Sequence, residues 1–312
     1  MPYTPFLISD FQTGKDIGKE PWLLTIDAFP TLINAQVNKG VLEKRKGYSL
    51  FAQMKHGAVA QTTTIMGIFT HLRKGLPTLL ICDTKRVNKY NPVDATMTDI
   101  ASSDIFTGSD KDFFHSANWL SNCYFTNNVN RIQKYDGVTL TTPDFPIDSS
   151  TSPNQVNTCR FIFVKSDRML LFDTVESGTW YPNRCRYSGV LVNDFVEGGY
   201  TDAPTDERIV AAGWVGKDIG VWFENSFWKL KTYGETNLPF KWEKVTSTDG
   251  CLSPYAAAEL KDGIATIGIA NILYYDGFQL KDLDIPKLRD IVSEFLVANL
   301  RYNYAYHSKE LR

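Results

Sequence analysis

The 312-residue chain is poor in the residues that staple or metallate proteins. Its five cysteines, Cys82, Cys123, Cys159, Cys185 and Cys251, are odd in number, far apart and without a CxxC pair, which argues against a disulfide framework or a zinc knuckle. They read as small, semi-buried hydrophobes of a protein assembled in reducing cytoplasm. The four histidines, His56, His71, His115 and His307, occur singly, with no HxH or HExxH spacing, and read as surface or turn residues. No window offers the roughly 18–20 consecutive apolar residues of a membrane span. The start MPYTPFLISDFQTGKD lacks the basic n-region and apolar h-region of a cleaved secretory signal, so a soluble chain is expected. A GxSxG elbow, a GxxxxGK[ST] loop and a dinucleotide fingerprint are also missing, and the glycines of GWVGKDIG, Gly213 to Gly220, read as a hairpin. Lys plus Arg number 33 against 35 Asp plus Glu, a net charge of -2 that excludes the bulk basic footprint of a dedicated nucleic-acid binder and leaves room only for a local patch.

What is present is a hydrophobic fraction of 43%, enough to bury a core, and 13% aromatics, which with the glycine content leans toward a β-rich chain. Long helical patterns are missing between about Thr62 and Asp282. Short β-branched or aromatic runs alternate there with Gly, Asn, Asp and Pro punctuation, as in Ile65 to Thr70, Thr78 to Cys82, Cys123 to Thr126, Phe161 to Lys165, Met169 to Phe172 and Val221 to Glu224. A cassette recurs: an apolar run, a polar turn, then a strand whose end reads basic or aromatic, Tyr, and Asp-Gly or similar. Its marker positions are Tyr90, Tyr135, Tyr187, Leu230 and Tyr275, with steps of 45, 52, 43 and 45 residues. A period near 45 suits a mainly β fold built as a β-propeller-like domain of four-stranded blades, since one such sheet cannot cover both its faces and must stack on neighbours. A β-sandwich with even spacing is the competing architecture.

Three regions follow. Residues 1–60 read as an irregular N-terminal arm, 61–282 as the propeller-like domain, and 283–312 as an amphipathic helix and the start of a further strand. The helix is expected over 285–300, with Pro286 near its start and Leu288, Ile291, Val292, Phe295 and Leu296 at i, i+3, i+4 spacing. RYNYAYHS after it reads as a strand. The pattern is expected to continue past Arg312, in a longer natural chain or in a partner that completes the ring.

The stretch DAFPTLINAQVNKGVLEKRKGYSLF resembles the opening of bacteriophage tail hub, nozzle and packaged-DNA stabilisation proteins, in which N-x5-G-x4-R-x-G recurs; here these are Asn34, Gly40, Arg45 and Gly47. Family members usually carry Pro where this chain has Lys46. Asn183 to Phe195 and Pro239 to Gly277 are similar to later segments of the same group. The resemblance implies a structural virion protein of a phage tail, a hub, nozzle or head-to-tail stopper. It would form a symmetric homo-oligomeric ring around the DNA exit channel, with neighbouring tail or portal/adaptor proteins as partners. Packaged DNA would pass through the lumen without sequence-specific binding. The virion tail is the implied location, with assembly in the bacterial cytoplasm. Lys44 and Arg45, with Lys39 and Lys46, form a basic cluster that is either solvated or, as the resemblance favours, part of a subunit interface.

No catalytic, cofactor or metal site is expected. The rival reading is a carbohydrate-binding or sialidase-like propeller acting on host-surface glycans, with Trp119, Trp180, Trp214, Trp222, Trp228 and Trp242 as sugar platforms. It requires carboxylates and arginines converging at the axial mouth. Alternation instead places Trp222 and Trp228 in the packing between blades. Glu176 to Trp180 reads as a tight turn, and the carboxylates of Asp104 to Asp112 as a solvated loop too widely set for an EF-hand.

Overall fold

In the computed structural model the described residues are 11–234, 238–268, 271–283 and 301–307. The N-terminal part contains three short strand pairs. β1 (Gly14–Lys15) and β2 (Ala28–Phe29) run parallel, and β3 (Ala35–Asn38) with β4 (Val41–Lys44) and β5 (Lys55–His56) with β6 (Val59–Ala60) are antiparallel hairpins.

Five four-stranded sheets follow in chain order. The first holds β7 (Gly67–Arg73), β8 (Leu76–Cys82), β9 (Val87–Asn91) and β10 (Thr96–Asp99). The second holds β11 (His115–Trp119), β12 (Asn122–Thr126), β13 (Gln133–Tyr135) and β14 (Leu140–Thr141). The third holds β15 (Val156–Lys165), β16 (Arg168–Glu176), β17 (Thr179–Tyr187) and β18 (Gly199–Asp202). The fourth holds β19 (Ile209–Val215), β20 (Asp218–Phe223), β21 (Phe227–Thr232) and β22 (Phe240–Thr246). The fifth holds β23 (Ala258–Leu260), β24 (Gly263–Ile267), β25 (Ile272–Tyr275) and β26 (Leu280–Leu283). Every sheet is an antiparallel meander of consecutive strands. The chain is mainly β and propeller-like. All five marker positions, Tyr90, Tyr135, Tyr187, Leu230 and Tyr275, fall on the third strand of their sheets. The apolar run before each marker is the second strand, covered on both faces: Leu80, Ile81 and Cys82 in β8, and Cys123, Tyr124 and Phe125 in β12, are all buried.

Sheet packs on sheet through one aromatic-rich cluster per junction. Leu80, Phe114 and Phe125 join the first sheet to the second; Trp119, Tyr124, Ile162 and Leu171 the second to the third; Phe163, Phe172, Ile219 and Phe223 the third to the fourth; Val210, Trp222, Ile264 and Tyr275 the fourth to the fifth. At two junctions a glycine faces a side chain of the next sheet's segment at close range, tightest at Gly67. A Cβ on Gly67 would lie 2.7 Å from Phe114 Cβ, and one on Gly213 would lie 2.8 Å from Ile264 Cδ1. Among the described residues no cluster joins the fifth sheet to the first. The outward face of the first sheet is instead covered in part by the N-terminal chain: Met54 is buried with Ile81 and Met97, and Phe51 meets the Tyr90 ring at 4.5 Å. Ile68 on the same face of β7 remains 62% exposed.

Several sequence expectations change. The stretch expected as a strand after residue 300 forms a single parallel bridge, Tyr304 to Tyr255, because only one residue finds a partner there. The helix expected over 285–300 lies outside the described residues; among the described residues there is no α-helix. His71 is not a surface residue: it is buried, with Nε2 bonded to Ser121 O at 3.0 Å and its ring edge-on to Tyr135. All five cysteines are free and buried, and Trp222 and Trp228 are buried in the sheet junctions. No helix among the described residues is long and apolar enough to cross a membrane.

Candidate functional site

The residues of the N-x5-G-x4-R-x-G pattern sit on the β3–β4 hairpin, and the local geometry explains their spacing. Asn34 takes φ 54, Lys39 and Gly40 take φ 51 and 79, and the strands between pair from Ala35↔Lys44 to Asn38↔Val41. Two consecutive residues at positive φ make the two-residue turn whose twist matches antiparallel strands, which is why glycine stands at position 40. Arg45 N–H donates to Asn34 O at 2.8 Å and closes the open end. Asn34, Gly40, Lys44 and Arg45 are thus brought together as one hairpin. Gly47 is not: it lies beyond the closing bond, and a Cβ there would touch nothing within 4 Å.

The hairpin is a surface element tied to the preceding chain by the Phe11 N–H, which donates to Gly40 O at 3.0 Å. Lys39, Lys44, Arg45 and Lys46 are all exposed and none forms an ion pair among the described residues. Large apolar side chains flank them in the open, including Trp22, Ile33 and Val41, with Tyr48 at 94% exposure. Residues 11–50 count six lysine or arginine against four acidic side chains, so the arm is mildly basic within a chain of net charge -2.

A second candidate lies along the first strands of the second to fifth sheets. Phe114, His115, Phe161, Ala212, Glu259 and Tyr304 line a cavity of ≈ 300 Å³. His115 receives the Ile162 N–H on Nδ1 at 3.2 Å and lies between the rings of Phe161 and Phe163, centroids 5.3 and 5.0 Å away. Burial pushes its pKa down to about 4, so the imidazole is neutral at pH 7 with its proton on Nε2. Glu259 is the one carboxylate among the described residues lining the cavity, and its Oε1 is taken by the Trp214 N–H at 2.8 Å. The carboxylates and arginines that a sialidase-like mouth requires do not converge here, and no group of three metal-ligating side chains occurs among the described residues.

The strongest charge network is in the third sheet and is structural. Buried Glu176 receives Arg186 through Nε and Nη2 at 2.6 and 2.7 Å, and Arg184 at 3.2 Å. Arg184 also makes a two-pronged pair with Asp202 at 2.8 and 2.9 Å, its guanidinium between the rings of Tyr181 and Tyr200 at 3.7 and 3.8 Å. Sequence reading took Glu176 as part of a turn, and the turn is there, with Ser177 and Gly178 at φ 47 and 87. The partnership with the two arginines was missed. Its signal is the i, i+2 spacing of Arg184 and Arg186, which puts both on one face of a strand. The carboxylates of the Asp104 to Asp112 loop also have partners that the sequence did not reveal: Asp104 pairs with Arg86 at 2.7 Å, and Asp112 with Arg301 at 2.6 Å.

No family model matches the chain, and no curated protein matches it. Among solved structures it is similar to the extracellular domain of a putative one component system from B. thetaiotaomicron, at 13% identity and TM-score 0.46 over 76% of this chain and 29% of that one. It is also similar to BBS1N from its complex with ARL6DN, at 9% identity and TM-score 0.44 over 72% of this chain and 70% of that one. The chain spans less than a third of the B. thetaiotaomicron domain's length. At TM-scores below 0.5 the likeness is partial, and the order of the five sheets in the chain itself defines the architecture.

Proposed function

We propose that the chain is a structural virion protein of a bacteriophage tail, a hub, nozzle or head-to-tail stopper, that works by shape. Copies assemble into a symmetric ring, and the DNA exit channel runs between them. The carrying observation is the arm: the family-like pattern at Asn34, Gly40 and Arg45 builds one exposed hairpin, with basic residues at its turn and open end and unpartnered apolar side chains around it. Apolar residues left in water in such number mark a surface that associates. Cyclic closure by identical copies is the commonest way for one surface of this kind to be used. A channel lumen that lets DNA slide favours neutral or acidic walls, and the net charge of -2 is compatible with that. Neighbouring tail or portal/adaptor proteins would meet the ring at its two ends, in the virion.

Light scattering and negative-stain imaging of the purified chain test the reading. Rings are expected, and deletion of residues 1–50 is expected to leave a folded protein that no longer forms them. A protein that stays monomeric at every concentration, alone and with tail proteins, would sink it.

A further inference from the structure

Residues 301–307 lie against the linkers at 110–113 and 253–255, with Arg301 and Tyr302 in a 3-10 turn and Tyr304 in a single β-bridge. Tyr304 bridges Tyr255 in parallel, Ala305 N–H donates to Tyr255 O at 2.9 Å, and Ser253 Oγ donates to Asn303 O at 3.0 Å. On the other side is the linker between the first and second sheets. Arg301 Nη2 donates to Asp112 Oδ1 at 2.6 Å, Tyr302 Oη donates to Asp110 Oδ2 at 3.1 Å, and the Lys111 ammonium stands 5.1 Å from the Tyr302 ring centroid. The floor of this cleft holds together without the segment: Tyr255 Oη donates to Phe113 O at 2.6 Å, and the two rings meet edge-on at 5.4 Å.

We propose that this cleft is a binding site for an Arg-Tyr-x-Tyr peptide, its Arg-Tyr turned and its second Tyr strand-like, filled here by the chain's own residues 301–307, and that the same segment of a second copy is its exchange ligand. The proposal rests on the assembly reading above and names the contact that would lock neighbours. The cleft's chemistry selects the sequence: carboxylates at 110 and 112 face a guanidinium and a phenol on successive residues, and the 253–255 backbone edge takes the next strand-like residues. The hold in cis is light. Arg301 and Tyr302 are exposed, Tyr304 is 61% and Tyr306 80% exposed, and the Arg301–Asp112 pair, although its carboxylate is largely covered, is open to water on the guanidinium side. A segment with few buried contacts opens long before the sheets do. The contacts are the same in cis and in trans, so the choice between them is one of local concentration, and a ring of copies raises the concentration of the foreign segment.

The test uses full-length chains carrying Asp112→Cys or Arg301→Cys, mixed and treated with a short bis-maleimide. The five native thiols are buried and stay silent. A doubly substituted chain is expected to cross-link within itself, read by intact mass. The mixed single variants are expected to give a covalent dimer whose yield rises with concentration. Excess synthetic Arg-Tyr-Asn-Tyr-Ala-Tyr-His should lower that yield about fivefold or more by competition for the cleft. Asp110→Cys with Tyr302→Cys is the second pair, for use if a variant of the first fails to fold. A double variant that does not cross-link internally overturns the site. Internal cross-linking with no dimer in the mixture, or a dimer indifferent to the peptide, overturns the exchange. Light scattering of the unmodified chain keeps the two readings apart: rings without exchange leave the assembly proposal standing, and exchange without rings leaves the cleft standing alone.

Discussion

Two turns that share Tyr-Asp-Gly show what single residues do for this fold. In the second sheet Asp136 Oδ1 accepts the Val138 and Thr139 N–H groups and Tyr135 Oη donates to Gly137 O; in the fifth, Asp276 Oδ1 accepts the Phe278 and Gln279 N–H groups and Tyr275 Oη donates to Gly277 O. These bonds hold the Asp136 carboxyl down at about 2 and Asp276 lower still. Both glycines need positive φ, 97 and 94. Gly277→Ala should cost about 1–2 kcal/mol for backbone conformation alone, since a Cβ there meets nothing. Gly137→Ala should cost more, because its Cβ would also press on Arg73 and His71 at 2.9–3.1 Å. Urea titrations that gave equal costs would contradict this. His115 gives a pH dependence of defined sign. Its folded pKa of about 4 lies below the ordinary 6.5, so the unfolded chain takes up the proton first and stability falls as pH drops from 6.5 toward 4. His115→Phe should flatten that fall, seen in urea midpoints measured across the window. A parallel slope in the variant would remove His115 as its source. The Tyr-Asp-Gly turns were legible in the sequence because a turn is a local matter. The buried state of His71 and the partly covered state of His115 were not, because the rings around them come from residues distant in the chain.

At the scale of elements, the middle strands carried the legible signal. Second strands such as β8, β12 and β20 are apolar on both faces because a sheet covers each side, and so they read as continuous runs. Fourth strands such as β14, β18 and β26 are short, half exposed and polar, and left little trace. Trp222 shows the energetics of a junction. It is fully buried, stacked on Phe227 at 3.9 Å, and its Nε1 has no hydrogen-bond partner among the described residues. Trp222→Ala should cost about 3–5 kcal/mol by opening a cavity between the fourth and fifth sheets. Trp222→Phe should cost about 1–2 kcal/mol, since removing an unpaired buried N–H offsets part of the lost contact. A phenylalanine variant as unstable as the alanine variant in chemical denaturation would show that the junction depends on indole shape alone. The arm was read as irregular and only its family-like spacing was noted; the structure makes Asn34, Gly40 and Arg45 the entrance, turn and closing residue of one two-stranded unit.

At the scale of the whole molecule, five sheets joined at four junctions leave one end of the series dependent on the N-terminal chain. Residues 51–61 complete the first sheet's face: Lys55 N–H donates to Asn88 Oδ1 at 2.8 Å, Asn88 Nδ2 donates back to Lys55 O at 2.9 Å, and His56 pairs with buried Asp83 at 2.7 Å. Deleting residues 1–50 should therefore leave stability within about 0.5 kcal/mol of the full chain. Met54→Ala should cost about 2–5 kcal/mol, as for other buried methionines. The reverse ranking in thermal or urea unfolding would move the structural boundary upstream of residue 51.

The sequence by itself determined the β class, the period near 45 and the recurring markers, because each depends on alternation or turn chemistry within a few residues. Only the tertiary structure decided which charges are buried and paired, which sheet faces lie open, and that residues 301–307 lie across the linkers at 110–114 and 253–255. Those contacts join residues as much as 192 positions apart, and no local pattern of side chains encodes a partner at that distance.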